Sequence, residues 1–433
     1  MAGNVNKTTE VWWTNPLWLV LGFVLPVYLL VFCAPLLLGQ DSLLLRGATF
    51  FTMDYFLLGL AYISVFAVGV SNGLLLRRRN TQASVPAEGT PVPFLDVVGM
   101  IAIGAYIIWF HELLLRPWYL LQIFTGEANI FVTRSEHGNI PGITSFTQLG
   151  IVFFVFYFDA WWRSDQALSR RHHLMAAALM ALTVFRVFVW GERLALIEVV
   201  IPVAVIAVAS GILHRRKFMG GVVTWAPFLG VGALLGYFAV TEAFRSWTFY
   251  QDRYEFWPFV ISRVTTYYYT ALNNGAGLLA TMSWPANDYQ NVLGWLYKTP
   301  LLGGIAAHIL ELAPPHSPAF LAQYADPEFN NMSGIFTVFF DLGIVGALLF
   351  AWIYGCVIGV LYVQFVEQRG IGRFLYPAIF VSILELMRVL YVTESRFFLV
   401  VVGTLTGVWL LSQRRPDWKR MKTNRNAVTG DGL

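Results

Sequence analysis

Charged and polar side chains stand where long apolar runs leave little room for them. Arg186 lies inside one such run, which ends in the short turn Gly191-Glu192-Arg193. Arg388 lies inside another, followed by Thr393-Glu394-Ser395-Arg396. Arg263 opens a stretch holding Tyr267, Tyr268, Tyr269, Asn273 and Asn274, and Asp341 sits early in a further apolar run, behind Asn330-Asn331-Met332-Ser333. An ionised group in hydrocarbon is costly, so such residues face a cavity or a partner. Guanidinium groups grip phosphate oxygens bidentately, so several at one site suit a phosphate-bearing ligand. Aromatic faces beside them suit sugar rings through apolar contact. Brought together on one membrane face, these residues would bind an amphiphile with an anionic head and a polar glycan.

Each residue also has a plainer role. Glu192 with Arg193, and Glu394 with Arg396, can form local ion pairs that close short turns. The aromatics can form an interfacial belt. Asn330 and Asn331 can cap a helix, and Asp341 can pair with a buried arginine for structure alone.

The elements that must position them are membrane-spanning helices. Of 433 residues, 57% are hydrophobic and 12% charged, against roughly 25% charged in a soluble protein. The apolar residues come in blocks of about 20, the length that crosses a bilayer, and hydrocarbon permits only helices there. Spans are predicted over 17–38, 51–75, 95–115, 143–161, 174–190, 194–213, 220–241, 334–363, 374–391 and 396–412. The first block is too long for a signal-peptide core and lacks a small-residue cleavage site. Cys33 and Cys356 fall in different apolar blocks and imply neither a disulfide framework nor a thiolate metal site.

Arginine and lysine orient the spans, because cytoplasmic loops hold the excess. One set of loops is basic: Arg77-Arg78-Arg79, Arg163 with Arg170 and Arg171, Arg215-Arg216-Lys217, Arg369 with Arg373, and the tail from Arg414 to Arg425. His172, His173 and His214 accompany them and are expected to be solvated. Both termini are then cytoplasmic. The net charge of +4 reflects this topology, and no nucleic-acid partner follows from it. On the other side lie Arg116 and Arg134 in segment 116–142, and the long polar stretch 242–333, between the seventh and eighth spans. Loops of that length are usually functional. Its apolar run 293–312, broken by Lys298-Thr299-Pro300 and Gly303-Gly304, reads as interfacial or re-entrant helix. The whole chain, 1–433, forms one integral membrane domain. No metal-ligand spacing links His137, His308 or His316 to a second ligand, and Asp41 stands alone in its loop. No nucleotide-binding motif is present, so neither metal nor cofactor is expected.

In plan the chain resembles the Wzy-type polymerases of O-antigen and exopolysaccharide repeat units, which are related to the O-antigen ligases. The likeness lies in the number of spans, the internal arginine after span five and one large external loop. It lies also in the segment 327–334, which runs into Phe339-Phe340-Asp341-Leu342-Gly343-Ile344-Val345-Gly346 with its D-x-G-x-x-G step. Gly191-Glu192-Arg193 and the Arg263 stretch are similar too. The ligases carry a histidine, then Asn, Ser or Gln, then nine residues before G-x-x-G. Here Ser333, Gly343 and Gly346 fit that pattern while Met332 holds the histidine position, which favours the polymerase, although His308 or His316 could substitute in space.

The resemblance implies an all-α, polytopic helical bundle of about ten transmembrane helices in the bacterial inner membrane, with a large periplasmic loop containing short interfacial helices. It implies transfer of a growing glycan from undecaprenyl pyrophosphate to an incoming lipid-linked repeat unit, alongside a flippase and a chain-length regulator of the same pathway. Positive charge stabilises the pyrophosphate leaving group, and a base activates the acceptor hydroxyl. Arg193, Arg263 and Arg396 are the candidates for the pyrophosphate, with Arg388 and Arg186 behind them. Glu192, Asp341 and Glu394 are the candidate bases, and Tyr267, Tyr268, Asn330 and Asn331 the candidate sugar contacts. Replacing Arg263 by Ala is expected to stop extension while leaving the protein in the membrane. An O-antigen ligase, or a flippase for lipid-linked oligosaccharide, is the alternative.

Overall fold

The computed structural model describes residues 11–38, 48–76, 92–125, 133–134, 138–163, 166–213, 219–299, 302–309, 316–326 and 328–413. The loop arginines at 77–79 and 215–216, Asp41, His137, His214 and the basic tail lie outside them. Among the described residues the chain is helical throughout, without strands, and eight helices are long and apolar enough to cross a membrane. These are α1 (Pro16–Leu38), α2 (Met53–Leu75), α3 (Val92–Leu114), α5 (Ile143–Arg163), α6 (Arg170–Trp190), α8 (Met219–Arg245), α13 (Phe336–Val366) and α15 (Ser395–Gln413). A short helix α4 (Pro117–Thr125) follows α3. The protein is thus a multi-pass membrane protein.

Two further predicted spans are shorter helices, α7 (Leu194–Ala209) and α14 (Gly372–Leu384). At 1.5 Å per residue they reach about 24 and about 20 Å, less than the ~30 Å hydrocarbon thickness. In α14 the shortening has a clear reason, because the chain leaves the helix at Leu384 and turns through Arg388 to the 3-10 turn Tyr391–Thr393.

The polar stretch between α8 and α13 contains the element that composition hides. Helix α9 (Phe256–Thr281) is 26 residues long, and every residue from Tyr269 to Leu279 is buried. Arg263, Thr266, Thr270, Asn274 and Gly277 recur at helical spacing and are all buried. The helix is polar in sequence because it packs against protein, on α1, α8 and α13. The rest of the stretch carries short helices α10 (Gly294–Lys298), α11 (Leu302–Ile309) and α12 (His316–Tyr324).

The tightest helix pair is α2 with α13, and glycine makes it possible. Gly69 and Gly73 of α2 face Gly355 and Gly359 of α13, two G-x-x-x-G steps in mutual contact. A Cβ on Gly69 would lie 2.2 Å from the carbonyl oxygen of Trp352, and one on Gly355 2.3 Å from that of Phe66. Lipid offers no hydrophobic drive between helices, so such close backbone approach supplies the packing energy. Helix α8 shows a second device. Pro227 lacks the N–H that would bond the Val223 carbonyl four residues back. Trp13 Nε1 donates to that carbonyl at 2.8 Å, and Trp12 Nε1 to the Thr224 carbonyl at 2.9 Å.

At the α5–α6 end of the bundle the structure corrects the expectation that His172 is solvated. The side chains of Arg163 and Arg373 are buried around Asp159, which is itself 1% exposed. Arg373 Nε lies 3.2 and 3.1 Å from the two Asp159 oxygens, and Arg163 Nη2 donates to the Phe365 carbonyl. His172 is buried as well, between Ser169 and Asp96. A lone charge there would be costly, whereas the aspartate makes the cluster tolerable.

Candidate functional site

The turn between α6 and α7 and the start of α15 meet through charge. Arg186 donates twice to Glu192 Oε2, at 2.9 and 2.7 Å, and once to Thr147. The second oxygen of Glu192 faces Arg396 at 3.4 Å, and Arg396 also faces Glu198 of α7 at 3.5 Å. Burial works against the charge of Glu192, but Arg186 and Arg396 outweigh it and hold the carboxyl below its usual range. Neither local turn pair forms. Glu192 turns to Arg186 and Arg396, Arg193 turns to Glu242 at the end of α8, and Glu394 accepts from Lys298 at 2.7 Å.

A second network runs through α9. Glu242 accepts from Arg193 and Ser246 and lies 3.4 Å from Arg263 Nε. The far side of Arg263 donates to Glu328 at 2.6 Å, and Tyr250 also bonds that carboxylate. The Arg263 side chain is fully buried. Arg388 pairs with Glu385, three residues back, at 2.7 Å. Three arginines converge on one ring: the guanidinium carbons of Arg193, Arg388 and Arg263 lie 5.3, 5.4 and 5.9 Å from the centre of Tyr267, within cation–π range.

Asp341 is not free, and no described arginine pairs with it. Its oxygens accept from the backbone N–H of Asn291 and Val292, each at 2.8 Å, and from the Asn291 amide at 2.7 Å. The D-x-G step explains why that loop is there. Gly343 takes φ 69° and ψ −175°, breaking α13, a conformation that suits glycine. The carbonyls of Phe340 and Asp341 then find new donors in the backbone N–H of Ala286 and Asn287, at 2.8 and 3.2 Å, as buried carbonyls require.

These frames surround two concavities. A cavity of about 510 Å³, the more polar of the two, is lined by Gln290, Asn291, Tyr297, Lys298, Asn330, Asn331, Glu394 and Arg396, with Ser317 and Pro318 of α12 and Thr337 of α13, beside the apolar Leu321, Met332, Val389 and Leu390. An apolar groove of about 300 Å³ runs between Trp13, Phe23, Ile201, Pro227 and Leu234, and is bordered by Tyr267, Tyr268, Glu385 and Arg388. The residues singled out from sequence thus separate into four sets. Asn330, Asn331, Glu394 and Arg396 line the cavity, while Tyr267, Tyr268 and Arg388 line the groove. Arg186 and Glu192 stand behind Arg396, whereas Arg193, Arg263 and Asp341 line neither space and serve the surrounding networks.

Sequence reasoning did not single out Glu198, Glu242, Glu328 or Glu385, the carboxylates that balance these arginines. Glu198 was detectable as an acid within the apolar run 194–213. Glu385 stands three residues before Arg388, a spacing that pairs side chains on a helix. Among the described residues no cluster of three or more His, Cys, Asp or Glu side chains is arranged to hold a metal ion. Compared with protein-family models, with curated proteins and with solved structures, the chain matches none.

Proposed function

We propose that the protein is a polysaccharide polymerase of the Wzy type, a glycosyltransferase at the periplasmic face of the bacterial inner membrane. The observation that carries this reading is the pairing of a polar cavity with an apolar groove across the segment 385–394, each holding one arginine. The groove suits a polyprenyl chain by its apolar lining. The cavity suits a glycan by its amides, hydroxyls and the Tyr297 ring. Arg388 and Arg396 suit the pyrophosphate between the two.

In this reading the acceptor hydroxyl attacks the anomeric carbon of the growing glycan. The bond from that carbon to the phosphate oxygen breaks, and undecaprenyl pyrophosphate leaves with the electron pair, stabilised by the arginines. Glu394 takes the proton. It is the only one of the three candidate bases that lines the cavity; Asp341 is committed to Asn291 and Val292, and Glu192 to Arg186 and Arg396. Counting α7 and α14 with the eight long helices gives ten crossings. Both termini are then cytoplasmic, and the segment 242–333 forms a periplasmic loop with interfacial helices α10 to α12. The same pathway supplies lipid-linked repeat units through a flippase and sets product length through a regulator.

One observation favours the ligase as a second reading. His316 opens α12 directly before the cavity residues Ser317 and Pro318, and its Nε2 lies 3.4 Å from Asp288. Deleting the gene from its native cell and sizing the lipid-linked glycans separates the readings. Accumulated single repeat units on lipid are the expected result. Accumulated lipid-linked polymer would replace this reading with the ligase, and an unchanged product distribution would overturn both.

A further inference from the structure

The polar cavity owes its shape to an amide that never reaches it. Asn274 of α9 is 4% exposed. Its Nδ2 donates to the carbonyl oxygens of Phe329 and Asn331, at 2.9 and 3.1 Å. One turn away, the Ala271 carbonyl accepts from the backbone N–H of Ser333 at 3.1 Å. At the other end Arg263 holds Glu328. The non-helical segment 328–333 is therefore fastened to α9 at both ends and in the middle. Asn330 sits between the two carbonyls that Asn274 holds, and both Asn330 and Asn331 line the cavity. The neighbouring Asn273 turns the other way and bonds Ala48, Phe50 and Phe51 ahead of α2.

We infer that Asn274 is a positioning residue for glycan binding, fixing the backbone of 329–331 so that the Asn330 and Asn331 amides face the sugar. This rests on the reading of the cavity as a glycan site. The chemistry is specific to an amide donor. Asn274→Asp keeps the size of the side chain but turns the donor into a third acceptor facing two carbonyls. The segment must then move, and the two cavity amides move with it. Asn274→Ser retains a donor on a shorter arm and relaxes the segment more gently.

The test measures affinity of the full-length protein in lipid nanodiscs for the free oligosaccharide released by mild acid from the native cell's own lipid-linked pool. Asn274→Asp is introduced into the wild-type chain and into the double variant Asn330→Ala, Asn331→Ala. Thermal unfolding confirms that each is folded, and Asn274→Ser takes its place if Asn274→Asp is not. In the wild-type background affinity should fall about tenfold, the scale of a lost buried hydrogen bond. In the double variant the further loss should shrink below about twofold, because coupled residues are not additive. Equal losses in both backgrounds, or unchanged affinity in the first, overturn the inference. Absence of binding by the folded wild-type protein overturns the glycan reading itself, and the inference with it.

Discussion

Arg388 and Arg396 stand on either side of one turn and line different spaces, the first an apolar groove and the second a polar cavity. Their partners differ as well. Arg388 is paired within its own segment to Glu385, whereas Arg396 reaches across to Glu192 and Glu198 at 3.4 and 3.5 Å, longer contacts that leave it 27% exposed. A phosphate group would compete for Arg396 more readily than for a guanidinium locked in a short bond.

Arg396→Ala is therefore expected to lower the rate of glycan extension by about a hundredfold or more, the scale of losing one transition-state charge partner. Arg396→Lys should recover part of it, since a point charge remains without the bidentate fork. Rates per amount of folded protein in membranes check this. A wild-type rate in Arg396→Ala removes the residue from the mechanism.

Arg263→Ala has a different expected outcome from the one its sequence context gives. Its side chain is fully buried between Glu242 and Glu328, so removal breaks the buried contact to Glu242, which keeps Arg193, and leaves the part-exposed Glu328 its bond from Tyr250. Breaking such a pair costs about 3–5 kcal/mol, and loss of folded protein should precede any kinetic effect. Yield and unfolding temperature in detergent measure it. Normal values for both would contradict the buried network.

Gly355→Leu should destabilise the bundle, by about 1–3 kcal/mol or more, because its side chain meets the backbone of α2 rather than a movable side chain. Gly232→Ala on α8 is the contrast, since a Cβ there meets nothing within 4 Å. Unfolding temperatures of the two variants should differ clearly. Equal values would rule out the close approach of α2 and α13.

Glu192 gives a pH dependence with a defined sign. Its carboxyl is held below the usual range in the folded protein, so its contribution is fully present above the unfolded value of about 4.3 and is lost as pH falls through the lower folded value. The unfolding temperature of the wild type should thus drop more steeply below about pH 4.3 than that of Glu192→Gln. Parallel curves would show that Arg186 and Arg396 do not stabilise the charge.

The membrane-spanning helices were legible because apolar length is a direct consequence of bilayer thickness. Helix α9, which is not one of those apolar helices, was not legible, because its arginine, tyrosines and asparagines make it read as part of a polar loop. Its burial depends on neighbours distant in sequence. The same distance explains the ion pairs. Glu192 and Arg193 are adjacent, yet their partners include Arg396 and Glu242, 204 and 49 residues away. Residue type identified these groups as needing a partner, but only the fold decides which partner each takes. The D-x-G step was visible as a motif, while its role, freeing two carbonyls for the loop 286–287, required the break at Gly343 to be seen.

The most direct measurement uses the purified protein in lipid with its cognate undecaprenyl-pyrophosphate-linked repeat unit, without nucleotide sugars, and resolves the products by size. A ladder of lipid-linked oligomers, lost in Arg396→Ala and in Glu394→Gln, is the predicted result. Unchanged substrate, with the protein folded and the substrate shown to be cognate, would contradict the polymerase account.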